Sequence, residues 1–272
     1  LSQHYVFVSM ETLLDGWLAG RSPRKGIVLS FDDGYSNAYT LALPLLRRMG
    51  VPFSVFVTTG YVDTGRVLWN DLLEFAIFST REKVLPAGVL ERDLPLETPA
   101  DRGRAVMALK PELKRLPLEE AAGKVRTICE KIQVDRDSPE LELVRFLTSD
   151  QISDMAGQGV ELGGHTVTHP ILSRETRERV RSEVTDCKAR LESMTGRHIR
   201  CFAYPNGQRG DFNEMVKQEV IQAGYEAAFT AIRGPNRPGL DLFEIKRLPV
   251  DCRWSYEEFD TRVSGLLEAM RG

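Results

Sequence analysis

The stretch from residue 26 to residue 58 constrains the fold more than any other part of the sequence. Gly26–Phe31 is a short apolar run ended by Asp32-Asp33-Gly34, and it reads as a buried strand. Ser36 to Met49 has helical spacing, with Ala38, Leu41, Leu45, Leu46 and Met49 on one stripe and Gly50 as the stop. Pro52–Thr58 is a second buried strand. Strand, helix and strand joined by short links make a right-handed parallel βαβ unit, because parallel strands need a crossover between them.

The same alternation resumes after residue 148. A helix capped by Thr148 or Ser149 runs to Gly157, followed by a strand at Val160–Gly164 and a long helix at Glu175–Thr195. Further strands are expected at Ile199–Tyr204, Tyr225–Thr230 and Phe243–Val250, with helices at Phe212–Ala223 and Tyr256–Met270. Repeated alternation argues for an α/β protein, either a parallel barrel or a doubly wound sheet. Residues 65–146 differ in character. Helical pieces at Trp69–Ser79, Ala100–Leu116 and Leu118–Ile132, with a hairpin at Val84–Leu96, read as a mostly helical insertion into one domain spanning 1–272.

Composition narrows the function. The chain has 272 residues, suited to one large α/β domain. With 36 Lys+Arg against 39 Asp+Glu it lacks the basic excess of a nucleic-acid binder. No apolar run approaches the roughly 18 residues of a transmembrane segment. Cys129, Cys187, Cys201 and Cys252 form no C-x-x-C pair and read as reduced thiols, which favours the cytoplasm. The chain begins at Leu1, so its N-terminus is expected to be trimmed. The sequence is silent on oligomeric state.

Three polar loops each follow an expected strand: Ser30-Phe31-Asp32-Asp33-Gly34, His165-Thr166-Val167-Thr168-His169-Pro170, and Phe202-Ala203-Tyr204-Pro205-Asn206-Gly207. In parallel α/β folds the working face lies at the carboxyl ends of the strands, so the three loops should converge there. Adjacent carboxylates at a strand end repel unless a cation sits nearby. Two histidines at i and i+4 have metal-ligand spacing. One carboxylate and two imidazoles supply three protein ligands and leave positions open for water and substrate, the catalytic pattern for zinc. His4 and His198, the remaining histidines, read as ordinary edge or surface residues.

The first two motifs, in this order and context, resemble those of polysaccharide deacetylases, the NodB-homology class of carbohydrate esterase family four. The resemblance covers Ile27–Gly60, Leu147–Thr230 and Ile245–Val250, and the insertion opening with Leu68-Trp69-Asn70-Asp71 resembles one in a bacterial branch of the family. It implies a distorted (β/α) barrel. It also implies a hydrolase that removes N-acetyl groups from an amino-sugar polysaccharide or oligosaccharide with a divalent metal, zinc first and cobalt or nickel next. By the same resemblance Asp32 is the catalytic base, and Asp33, His165 and His169 hold the metal. Tyr204 and Pro205 belong to a wall of the groove, and the Asn206 backbone N–H helps to hold the oxyanion. Trp69 is expected to offer an aromatic face to the sugar, with the insertion walling one side of the groove.

Two family features are absent. Ala203 stands where an Arg normally pairs with the catalytic Asp, and Arg247 is the candidate substitute, with Arg209 next in line. No histidine follows His198, so the late Leu-x-His motif that supplies the general acid has no match. Some longer relatives carry an extra strand and a histidine upstream of where this chain starts. The acid is therefore expected either there or in Asp32 itself, once protonated. Two other functions fit the same residues: action on a formylated sugar or an O-acetyl ester, and a catalytically weakened saccharide-binding protein.

Overall fold

The computed structural model describes residues 5–21, 25–135, 138–236, 239–251 and 253–264. His4, Cys252 and the part of the expected closing helix beyond residue 264 lie outside the described residues. The chain opens with β1 (Val6–Phe7), α1 (Met10–Leu18), β2 (Gly26–Ile27) and β3 (Leu29–Phe31). A π-helical turn at Ala38–Ala42 leads into α2 (Leu43–Met49) and then β4 (Phe53–Val57). Next come α3 (Trp69–Ser79), an antiparallel hairpin of β5 (Val84–Leu85) and β6 (Leu94–Pro95), α4 (Pro99–Leu113) and α5 (Leu118–Lys131). The remainder is α6 (Ser149–Gly157), β7 (Glu161–Gly164), α7 (Arg177–Thr195), β8 (Cys201–Ala203), α8 (Glu214–Gln222), β9 (Ala227–Phe229) and α9 (Tyr256–Val263).

Strands β3, β4, β7, β8 and β9 form one parallel sheet in that spatial order. Residues 26 and 27 pair with β1, while 29–31 pair with β4, so one extended run has a neighbour on each side. The sheet curls into an open half-barrel, a distorted (β/α) barrel. Every residue of β4 is buried, as expected for a strand covered on both faces. Val55 and Val57 pack outward with Leu162, Val180, Val184 and Val216 under α7 and α8. Phe56 packs inward with Ala203, Phe229, Ile245 and the α1 residues Met10 and Leu14. That inner space is tight. A Cβ on Gly163 would lie 2.4 Å from the Phe56 ring, so a glycine there admits the large ring beside it.

Opposite the expected working face, Glu161 ties α1 to the sheet. Its carboxylate accepts hydrogen bonds from the backbone N–H groups of Met10 (2.6 Å) and Glu11 (2.7 Å) and from the Ser54 hydroxyl (3.0 Å). These amides open α1 and have no partner within the helix. Helices α3, α4 and α5 and the hairpin share an apolar cluster of their own, centred on Leu73, Ile77, Leu96, Leu109, Leu113 and Val125. Among the described residues, no helix is long and apolar enough to cross a membrane.

Two local expectations change. Phe243–Val250 is not a strand but a single parallel bridge between Ile245 and Phe229. The Lys246 backbone N–H donates to the Asn236 side chain, and its carbonyl accepts from the same amide, so neither group is left for a ladder. Pro249 has no N–H to offer one. The apolar stripe of the second element also shifts. The π-helical turn changes the phase of the helix, so Ala38, Leu43 and Leu46 are buried, while Leu41, Leu45 and Met49 are exposed.

Candidate metal centre and active site

Strands β3, β7 and β8 deliver the three polar loops to one end of the sheet. Asp33, Thr166, His169 and Asn206 all have positive φ, at 70°, 68°, 62° and 58°. A non-glycine residue in this region is uncommon and carries backbone strain of about 1–3 kcal/mol. Here the strain lies in the loops that bear the candidate site residues, and the surroundings hold it in place. Thr59 and Gly60 donate backbone hydrogen bonds to Thr166 and Val167 at 3.1 and 2.7 Å. A Cβ on Gly60 would fall 2.4 Å from the Val167 carbonyl oxygen, so only glycine lets the two loops cross this closely. From α7, the buried Glu183 accepts from the backbone N–H groups of Val167 and Thr168, both at 2.8 Å, and from the Thr168 hydroxyl at 2.5 Å. Arg179 pairs with the same carboxylate at 2.8 Å.

Asp33 Oδ1 lies 3.3 Å from His165 Nε2 and 3.1 Å from His169 Nε2. One ligand atom from each residue falls within 4.8 Å of the other two. The His165 ring is buried, and its Nδ1 sits 2.7 Å from the Ala203 carbonyl oxygen. A carbonyl can only accept, so Nδ1 carries the proton, and the lone pair of Nε2 can face a cation. Burial pushes the Asp33 carboxyl up, but His169 and His165 outweigh it and hold Asp33 far below the usual carboxylate range. Burial pulls His165 down, and Asp33 and Asp32 more than reverse that. Asp33 and Asp32 thus favour a positive charge at His165 Nε2, a place that a divalent ion would take from the proton, and the carboxylate and the Nδ1–H tautomer fit such an ion.

Asp32 has a different partner. Arg247 grips it with two parallel hydrogen bonds, Nη1 to Oδ1 and Nη2 to Oδ2, both 2.7 Å. The guanidinium is itself fixed by Nε donating to the Thr230 carbonyl at 2.9 Å and by the Phe56 ring, 5.4 Å away at its centroid. Burial pushes the Asp32 carboxyl up, and Arg247 and His165 bring it below its ordinary value. The cation expected from the third motif thus arrives from the segment after β9.

The remaining expected residues divide. Asn206 lies in the third loop, and its Oδ1 accepts from Lys114 Nζ at 2.5 Å. Trp69 lines a cavity of about 60 Å³ together with Asn70, Lys110, Lys114, His169 and Asn206, so the helices after β4 do reach the cluster. Tyr204 and Pro205 are not groove residues. Tyr204 is 1 % exposed, donates to the Phe243 carbonyl at 3.1 Å and stacks on Phe212 at 4.3 Å. Pro205 is buried beside it. A Tyr at the end of a buried strand stays in the core when its hydroxyl can find a backbone acceptor there.

Sequence reasoning missed Glu183, Lys110, Lys114, and the pair in which the Tyr35 hydroxyl donates to Asp71 at 2.5 Å. Glu183 was detectable, because it interrupts the apolar stripe of Val180, Val184, Cys187 and Leu191 on α7. The two lysines lie on an ordinary-looking polar helix and gave no signal.

A family profile described as polysaccharide deacetylase matches residues 19–94 and 103–228. Bacillus subtilis YxkH is 24 % identical over 120 residues, 44 % of this chain and 42 % of that protein. The peptidoglycan-N-acetylmuramic acid deacetylase PdaA of the same organism is 27 % identical over 81 residues, 30 % of each chain. The matches thus span less than half the length of these curated relatives. The Streptococcus pyogenes deacetylase PplD, solved with acetate, superposes with a TM-score of 0.61 at 17 % identity, over 96 % of this chain and 81 % of that one.

Proposed function

The chain belongs to the polysaccharide deacetylase family, and we propose that it is a metal-dependent hydrolase that removes N-acetyl groups from an amino-sugar oligosaccharide or polysaccharide. The observation that carries this reading is the division of labour between adjacent aspartates. Asp33 converges with His165 and His169, while Asp32 is held ionised by Arg247. Asp33, His165 and His169 would hold the ion, zinc first and cobalt or nickel next, since selectivity follows availability as well as ligands. When bound, a divalent ion supplies Lewis acidity for the acetyl carbonyl and makes a nearby water more acidic.

The protein's own groups do the rest. Asp32 accepts a proton from the attacking water, and the bidentate Arg247 keeps that carboxylate ionised and oriented beforehand. The backbone N–H of Asn206 donates to the oxyanion as the carbonyl carbon becomes tetrahedral. The C–N bond then breaks, and the nitrogen takes the proton that Asp32 holds. Hydroxyl stays on the acetyl carbon, so the products are acetate and a free amino sugar.

A matched panel of N-acetyl, N-formyl and O-acetyl oligosaccharides tests the reading on zinc-loaded protein. Acetate and free amine should appear in equal amounts from the N-acetyl members. Faster release of formate, or of acetate from the esters, would reassign the acyl group. No release from any member would leave a saccharide-binding protein.

A further inference from the structure

The cavity beside His169 contains more positive charge than its own residues neutralise. Lys110 and Lys114 lie one helical turn apart at the end of α4, and both line it. Lys110 is paired with Glu74. Among the described residues, no carboxylate forms an ion pair with Lys114. Its ammonium instead reaches across to the third loop, where the Asn206 side chain accepts its hydrogen bond at 2.5 Å. Asp211 acts on it only from a distance.

The C-terminal end of a helix is a favourable place for a cation, which accounts for a basic residue at this position. It does not account for the course of the side chain into a half-buried cavity. Burial and the neighbouring Lys110 both disfavour the charged form of Lys114 there. A half-buried ammonium held by one neutral amide oxygen is short of a counter-charge, and an incoming anion supplies one. A divalent ion at the neighbouring cluster adds field of the same sign. Trp69 and Asn70 complete the wall with an aromatic face and an amide, both suited to a sugar.

We propose that this cavity is a subsite for an anionic group, carboxylate or phosphate, carried by the saccharide on or next to the sugar that is deacetylated, with Lys114 as its counter-charge. The inference rests on the deacetylase reading above. It makes the substrate an acidic amino-sugar chain rather than a neutral one.

Three tetrasaccharides of equal length test it on the zinc-loaded protein at low salt. The first alternates N-acetylglucosamine with N-acetylmuramic acid, the second is its carboxyl methyl ester, and the third is an N-acetylglucosamine oligomer bearing 6-phosphates. At least one anionic substrate should exceed the ester in kcat/KM by about tenfold, the scale of one charge-assisted hydrogen bond. Whichever exceeds it identifies the source of the anion. In Lys114→Met the anion-to-ester ratio should fall to about one, mainly through KM, and Lys114→Arg should restore it. Comparing ratios keeps the result readable if a variant is partly unfolded. Equal kcat/KM on all three substrates would overturn the subsite and leave the deacetylase reading intact. So would a Lys114→Met variant that slows every substrate by one common factor, which would place Lys114 at the oxyanion instead. No turnover of any of the three overturns both readings together.

Discussion

Asp32 and Asp33 are neighbours in sequence, yet their surroundings differ, and the proposed function gives each a different role. Asp33 faces two imidazoles, and Asp32 faces a guanidinium. An amide can replace neither role, but it fails differently in each. Asp32→Asn should keep zinc affinity within a few fold and lose turnover by about a thousandfold or more, the upper range for general-base catalysis. Asp33→Asn should weaken zinc binding itself, and calorimetric titration of both variants separates the two. Equal metal loss would reject the assignment. Asp71 supplies a pH test. Burial pushes its carboxyl up to about 6, and the charge of Asp33 adds to the effect. A carboxyl that is a weaker acid folded than unfolded binds more protons in the folded state. Ionising it therefore destabilises the protein as pH rises from about 4 to about 6, with no further change above that. In metal-free protein, Asp71→Asn should gain stability relative to wild type across that window and hold the gain at higher pH. Melting curves from pH 4 to 8 would show it, and a constant difference at all pH values would contradict it.

The elements that carry the site depend on a few buried polar contacts and on helix phase. Glu183 braces the turn between the two histidines, its carboxylate on α7 accepting three hydrogen bonds from that turn. Glu183→Ala leaves the Val167 and Thr168 amides without this acceptor and should destabilise the fold by about 1–3 kcal/mol. Glu183→Gln can still accept some of these bonds. It should fold and bind zinc about tenfold or more weakly, because groups that orient ligands act on metal affinity. Denaturant melts and a zinc titration read the two effects separately. Helix α2 gives a cleaner test of phase. Leu46 is 9 % exposed and Leu45 is 48 % exposed. Leu46→Ala should therefore lose about 2–3 kcal/mol, and Leu45→Ala should change stability by less than about 0.5 kcal/mol. Simple helical spacing put both on one stripe. The π-helical turn at Ala38–Ala42 shifts the phase of the helix that follows it, and it leaves no mark in the spacing of apolar residues, which is why the sequence misassigned this face. The late segment failed for a related reason. The apolar character of Phe243 and Ile245 is real, but Asn236 captures the backbone of Lys246, and side-chain capture of that kind is invisible in a periodicity.

Across the whole molecule, legibility followed the range of the interactions. The βαβ unit and helices such as Trp69–Ser79 could be read from the sequence because local pattern dictates them. The three loops could be placed together because parallel strands put their carboxyl ends on one side. Arg247 could be named only as a substitute for a missing cation, since 215 positions separate it from Asp32 and only the closed fold joins them. Tyr204 was misplaced because a strand-end position does not say which way a ring turns. The contact of α4 with the third loop, from which Lys114 reaches Asn206, joins residues 92 positions apart and was not foreseen. The central claim, a hydrolytic centre that works through one ion at Asp33, His165 and His169, is tested most directly by titrating zinc into chelator-stripped protein while following acetate release from N-acetyl oligosaccharides. Activity should start near zero, rise linearly with zinc and level off at one equivalent. Full activity in stripped protein, or zinc that binds at one equivalent without any acetate release, would contradict the account.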